Sequence, residues 1–408
     1  MVHLYVLNPA HKLRFIARHF FKGSKRILKQ VNEPSSTSTI PEFPEVQPPR
    51  PPKFNILDFI KADLPLAPHG GLTRDNEYYR DDSEGGFCIF RVENTLFKVH
   101  KCYLLREPSA FGDMFSLPAI PGNREGLSDD AAVTLSDTAE QFQDLLWALY
   151  ATPTQLYSTS EADWPSIERL LNIAETTNKY CIASYETWAL DRIVALAQNP
   201  MGFLRHGPPE ICARALNIAA LCNHQMLLDI ITQRLVPRIL WSDVDRQAIL
   251  KVAESRGLRK IQGVAYYREL IDMENASDAP RKSSRAIFPP SMDVEKRMLF
   301  LAAHHSLVNF WECIKATPPT FIEHGCPAHT HCLNTWTELW LHTASSPQTQ
   351  RHGSADILGK LKSMMILLKK STRESDSIGV TCSLAALESI TTTREDIIAG
   401  LMEHFQGY

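Results

Sequence analysis

Phe87-Cys-Ile-Phe-Arg-Val-Glu-Asn-Thr-Leu-Phe-Lys-Val-His-Lys101 is the stretch that decides how this chain folds. β-Branched and aromatic residues fill Phe87 to Val92 and Leu96 to Val99, with Glu93-Asn94-Thr95 between them, so the pattern predicts a β-hairpin. His100 to Arg106 and Ser109 to Leu117 then read as two short helices. A loop rich in Gly, Asn and Asp leads to a third strand, Val133-Thr-Leu135, and to the segment Ala139 to Tyr150. There Phe142, Leu145, Leu146 and Leu149 recur at helical spacing and make one apolar face. The expected class is α+β, with a small three-stranded sheet flanked by helices.

Outward from this module, the chain reads as mostly helical. Thr152-Pro153 ends the helix before it, because proline disfavours helical geometry at the preceding residue. Helices are expected over Trp164 to Thr177, Ile182 to Gln198, Pro208 to Leu240 and Val244 to Ala253, with Pro209 at a helix start, where its missing N–H costs nothing. Further helices are expected at Met292 to Ala316, Leu333 to Thr343, Ile357 to Lys370 and Arg394 to Phe405. The last would start on a capping box, Thr392-x-x-Glu395. Asn275 to Ser291, rich in Ser, Asp, Pro and basic residues, reads as a linker. The resulting division is an extension over 1–54, a leader over 55–77, the α+β module over 78–190, a helical region over 191–274, the linker over 275–291 and a second helical region over 292–408.

The extension has two parts. Met1 to Asn32 contains no acidic residue and interleaves Lys12, Arg14, Arg18, Lys22, Lys25, Arg26 and Lys29 with apolar residues. Such a pattern is compatible with a targeting helix or a nuclear-import patch, but a loosely packed tail explains it with fewer assumptions. Pro34 to Lys53 is rich in Ser, Thr and Pro and cannot bury enough apolar area to offset ordering entropy.

The 408 residues carry a formal charge of −3, which gives no global reason to expect nucleic acid as a partner. No apolar run reaches the roughly 18 residues of a spanning helix, so no membrane partner is expected. Nine scattered cysteines do not form a compact disulfide framework; cytosol or nucleus is the expected location. Dinucleotide and phosphate loops, His-Glu-x-x-His and Gly-x-Ser-x-Gly are all absent from the sequence, so an enzyme is not expected. One cluster invites a metal reading: His324-Gly-Cys326-Pro-Ala-His329-Thr-His331-Cys332, with Cys313 upstream. Cys326 and His329 suit one half of a tetrahedral zinc site. Cys313, Cys332 and His324 would have to complete it irregularly. Without a second regular pair, Cys313 and Cys332 read instead as small apolar groups at helix edges, and no cofactor is expected. Leu333, Trp336 and Trp340 form a stripe beside the cluster, expected to be core.

Val92-Glu-Asn-Thr-Leu-Phe-Lys-Val-His-Lys101, Phe111-Gly-Asp-Met-Phe115, Val133-Thr-Leu-Ser-Asp137 and Phe142 with Leu145 to Tyr150 together resemble the BTB/POZ domain, in the form abundant in mushroom-type fungi. The similarity is strongest over Phe87 to Phe115 and continues more loosely to about Ala189. The resemblance implies a core of Phe97, His100, Phe111, Phe115, Leu135, Phe142, Leu146 and Leu149, with His100 structural. It departs from the family at Phe87, where many members carry Asp, and at Pro108, where many carry Ser. It implies a non-enzymatic interaction protein that pairs with itself or another BTB chain through this module and offers a helical region to further protein partners. Two alternatives stay open: a substrate adaptor on a cullin scaffold, and a transcription-associated regulator that does not itself bind DNA.

Overall fold

The structure, a computed structural model, describes residues 72–79, 86–117, 125–158, 165–277, 288, 292–323, 325–374 and 378–406. The basic and Pro-rich extension and most of the leader lie outside the described residues. The hairpin forms from β2 (Phe87–Val92) and β3 (Thr95–His100), paired antiparallel with Phe90 opposite Phe97. Glu93 takes a positive φ of 52° in the turn, as a two-residue connection requires. β4 (Val133–Leu135) lies parallel to β2, with Phe90 opposite Val133.

The sheet has a fourth strand that the sequence pattern does not reveal. β1 (Thr73–Tyr79) pairs parallel with β3 at the outer edge, giving the order β1-β3-β2-β4 and correcting the expected three strands to four. In Thr-Arg-Asp-Asn-Glu-Tyr-Tyr the run Arg74-Asp-Asn-Glu77 breaks any apolar alternation between Thr73 and the two tyrosines. It is held by tertiary contacts: the Tyr79 hydroxyl and Arg74 both donate to Asp129, and the Tyr78 ring packs edge-on to Tyr150 at 5.8 Å.

Two short helices follow the hairpin, α1 (Lys101–Leu104) and α2 (Ala110–Ser116). Ser109, not Pro108, caps α2, its Oγ accepting from Gly112 N at 3.3 Å. α3 (Ala139–Tyr150) begins on a full capping box formed by Thr138 and Gln141. Gly126, at φ +75°, passes so close to β2 that a Cβ there would lie 2.6 Å from Cys88 Sγ. That approach lets its carbonyl accept from Ile89 N at 2.8 Å.

The helical region begins with α4 (Pro153–Leu156), α5 (Ile167–Lys179) and α6 (Ala183–Gln198). The expected single helix over Pro208 to Leu240 is two, α8 (Pro209–Leu221) and α9 (Gln225–Trp241), preceded by the short α7 (Phe203–His206). Asn223 turns the chain between them with φ 52°, and His224 caps α9 by accepting from Leu227 N. After α10 (Gln247–Arg256) comes α11 (Arg259–Ser277), a long helix whose Ile261, Val264, Tyr267, Leu270 and Ile271 are all buried.

The final elements are α12 (Val294–Ala316), α13 (His329–Ala344), α14 (Pro347–Gln350), α15 (Ile357–Glu374) and α16 (Val380–Gly400), closing on a 3-10 turn, Leu401–Phe405. The capping box expected at Thr392 is not one. Thr392 lies inside α16, its hydroxyl directed at the Glu388 carbonyl at 3.4 Å. One continuous apolar core includes Leu171 of α5, Leu216 of α8, Val264 of α11, Phe300 of α12 and Phe405, so helices on both sides of 275–291 share it. Gly263 allows this closure: a Cβ there would meet Met402 N at 2.5 Å. No helix among the described residues is long and apolar enough to cross a membrane.

Candidate functional site

The first candidate is the aromatic core of the hairpin module. Alternation in β2 and β3 sends Phe90, Val92, Phe97 and Val99 inward, where none has exposed surface. Phe97 meets Phe142 of α3 edge-on at 5.1 Å, and Phe90 meets Phe111 of α2 at 5.8 Å and Phe142 at 5.5 Å. Leu145, Leu146 and Leu149 complete the same cluster. Phe115 and Leu135 differ from the expected core, because both are half-buried at its margin. Phe115 carries Lys101 Nζ over its ring at 5.0 Å, and β4 reaches the end of the sheet at Leu135.

His100 serves the same module. Its backbone N–H donates to the Tyr150 hydroxyl at 3.0 Å, and its Nδ1 lies 3.0 Å from that oxygen. Phe87 packs on the imidazole at 4.4 Å. These contacts tie the end of β3 to the end of α3. On the far side, Tyr180 stacks on Phe111 at 4.4 Å and donates to buried Asp137, which also accepts from Lys179 at 2.7 Å. Burial, reinforced by the Asp137 charge, pushes the Tyr180 phenol well above its ordinary value and keeps it a donor.

The second candidate lies at the start of α13. Cys326 and Cys332 face each other with their sulfurs 3.9 Å apart, and Cys382 of α16, distant in sequence, joins them. The three Sγ atoms all lie within 4.8 Å of one another. His329 sits beside them, its Nδ1 3.4 Å from Cys382 Sγ. Cys313 corrects the expectation twice, since it is exposed on α12 and belongs neither to this cluster nor to the core. His324 lies outside the described residues, and His331 is exposed. The backbone N–H of Ala328 holds the Cys326 thiol below its ordinary value. Cys382, with no exposed surface, is pushed up to about 12, first by burial and then by the neighbouring thiols. Trp336 and Trp340 are buried beneath, their indole N–H groups donating to the carbonyls of Pro319 and Ile314.

A third arrangement escaped sequence reasoning because its members belong to no local signature. Ser363 Oγ lies 2.8 Å from His352 Nε2, and His352 Nδ1 lies 3.0 Å from Asp356 Oδ2. The order is that of a hydrolase triad, and its acid also makes contacts that hold the fold. Asp356 accepts from Gly359 N at 2.9 Å at the start of α15 and from the Tyr267 hydroxyl at 2.8 Å. Ser363 sits within α15, where helical hydrogen bonds occupy the backbone N–H groups that an oxyanion would need. A surface hollow of about 420 Å³ among Ile366, Lys369, Lys370 and Arg373, and one of about 120 Å³ around Asp245 and Arg246, include none of these three residues.

Comparison of the chain with protein-family models, with curated proteins and with solved structures returns no match. The arrangement of its own residues therefore carries the functional argument.

Proposed function

We propose that this chain is a non-enzymatic protein–protein interaction protein whose BTB/POZ-like module associates with itself or with another such module, while its helices α5 to α16 present surface to a further protein partner. The observation that carries this is the succession of hairpin, paired short helices, β4 returning beside β2, and α3 packed across the sheet through Phe97 and Phe142. It is the arrangement that the resemblance over Phe87 to Tyr150 implies.

Sedimentation of the full chain over a range of concentrations tests self-association. The expected result is a concentration-dependent dimer, and a chain that stays monomeric throughout removes that arm. The helices after the module keep a second reading in play, a substrate adaptor on a cullin scaffold, although the segment after α2 lacks the apolar-x-Glu motif that often accompanies that role. Pull-down of a purified cullin scaffold by the full chain, against an unrelated folded control, tests it; no enrichment ends it.

A further inference from the structure

We infer that Cys326, His329, Cys332 and Cys382 form a structural zinc site that pins the first turns of α13 and α16 together. Zinc–sulfur bonds of about 2.3 Å and zinc–nitrogen bonds of about 2.0–2.1 Å place tetrahedral ligand atoms about 3.8 Å apart for sulfur to sulfur and about 3.5 Å for sulfur to nitrogen. Cys326 and Cys332 are 3.9 Å apart, and His329 Nδ1 and Cys382 Sγ are 3.4 Å apart. Both pairs already have the separation that ligands around one ion need, and the third sulfur lies within 4.8 Å of the other two. His329 stands beside Cys382 but outside the mutual spacing of the three sulfurs, and a turn of its side chain toward them supplies the fourth ligand of the closed, four-coordinate shell typical of structural zinc.

The local backbone serves this arrangement. Cys326-Pro-Ala-His329 is a short turn, and α13 starts at His329, so His329 and Cys332 occupy successive positions on its first turn, three residues apart. Cys382 is the third residue of α16, whose cap, Gly379, runs so close that a Cβ there would lie 3.8 Å from Cys326 Sγ. Two helix N-termini thus converge on a site whose three thiolates outweigh the ion's charge by one, and both favour that excess. Three thiolates and one imidazole select a borderline-soft tetrahedral ion such as zinc over oxygen-seeking magnesium or calcium. Because His329 and Cys382 are 53 positions apart, the ion would close a long loop through α14 and α15. The role is cohesive, with no open coordination position for substrate.

The test is metal content and spectroscopy on the full chain, purified under reducing conditions without added metal. One zinc per chain is expected, and replacement by cobalt should give the intense visible bands of a tetrahedral thiolate centre. Protein that carries no zinc and gives no such bands on cobalt addition overturns the site, as does a mass that reveals a Cys326–Cys332 disulfide persisting in protein purified with reductant. Cys382→Ser should abolish stoichiometric metal. Partners outside the coordination shell are already worth about 10–100-fold in affinity, so His329→Ala should cost at least about tenfold. His331→Ala and Cys313→Ser should cost nothing. If His329→Ala binds as tightly as the parent, its ligand role falls. Chelation of the parent should lower the unfolding temperature, and an unchanged melt would remove the structural role.

Discussion

Arg214 of α8 donates to the side-chain oxygen of Asn172 on α5 at 2.6 Å, and Asn172 in turn donates to Asp144 of α3 at 2.7 Å. Asp144 also accepts from Arg169 at 2.7 Å, and Glu175 accepts from Gln141 at 3.1 Å and pairs with Arg214 at 3.5 Å. Asp144 and Asn172 are buried, so this network joins the hairpin module to the helical region through groups that water cannot satisfy. The module and the helices should consequently unfold together. Asn172→Ala strands a donor and an acceptor and should cost about 1–3 kcal/mol. In a double-mutant cycle with Arg214→Ala, denaturant melts of the full chain should show a coupling of about 0.5–3 kcal/mol, as contacting residues do. Additive costs would mean the network does not connect the two parts.

Phe111 and Phe115 separate core from margin. Phe111 is 2% exposed and stacks on Tyr180, so Phe111→Ala should cost about 3–5 kcal/mol, a large share of a total stability of roughly 5–15 kcal/mol. Phe115 is only half-buried, with Lys101 over its ring, and Phe115→Ala should cost clearly less. Thermal melts of the two variants give the ranking. Equal losses would show that α2 packs differently from the arrangement described.

Legibility in the sequence followed how local each signal is. β2, β3, β4 and α3 could be read because their apolar alternation, turn formers and helical stripe all sit in one continuous stretch. β1 could not, since its pairing rests on Asp129, Tyr150 and Asn94, all distant in sequence. α11 escaped for another reason: its buried Ile261, Val264, Tyr267, Leu270 and Ile271 are interleaved with Lys260, Gln262, Arg268, Glu269 and Asp272, so polar and apolar residues do not separate into a clean stripe. In the thiol cluster, three ligands were visible as Cys326, His329 and Cys332. The fourth, Cys382, comes from another helix, and only the packing of α16 against α13 brings it in; Cys313 was a neighbour in sequence but not in space.

Ser363, His352 and Asp356 provide a direct check on the non-enzymatic reading. A serine nucleophile activated by histidine reacts with fluorophosphonate, whereas a hydroxyl held inside a helix without oxyanion donors does not. Mass spectrometry after fluorophosphonate treatment should find Ser363 unmodified. An adduct at Ser363 that disappears in His352→Ala would make the chain a hydrolase candidate and displace the interaction reading.

His404 gives the chain a defined response to acid. Its Nδ1 lies 2.8 Å from Ser306 Oγ on α12, and its ring packs against Phe310 at 5.3 Å. Burial lowers its affinity for a proton below the ordinary value of about 6.5, and neighbouring Glu403 only partly opposes this. With the folded value below the unfolded one, the unfolded chain binds more protons between the two. Stability from neutral His404 is therefore complete above about 6.5 and is lost progressively as pH falls through the folded value. The 3-10 turn bearing His404 also places Phe405 against Phe300 and Tyr266, so the loss should loosen the docking of the C-terminal turn on α11 and α12. Hydrogen exchange above and below the histidine range should show residues 401–406 losing protection on acidification. His404→Gln, which cannot take up the proton, should flatten that dependence. A parent and variant with the same pH profile would assign the response to other groups.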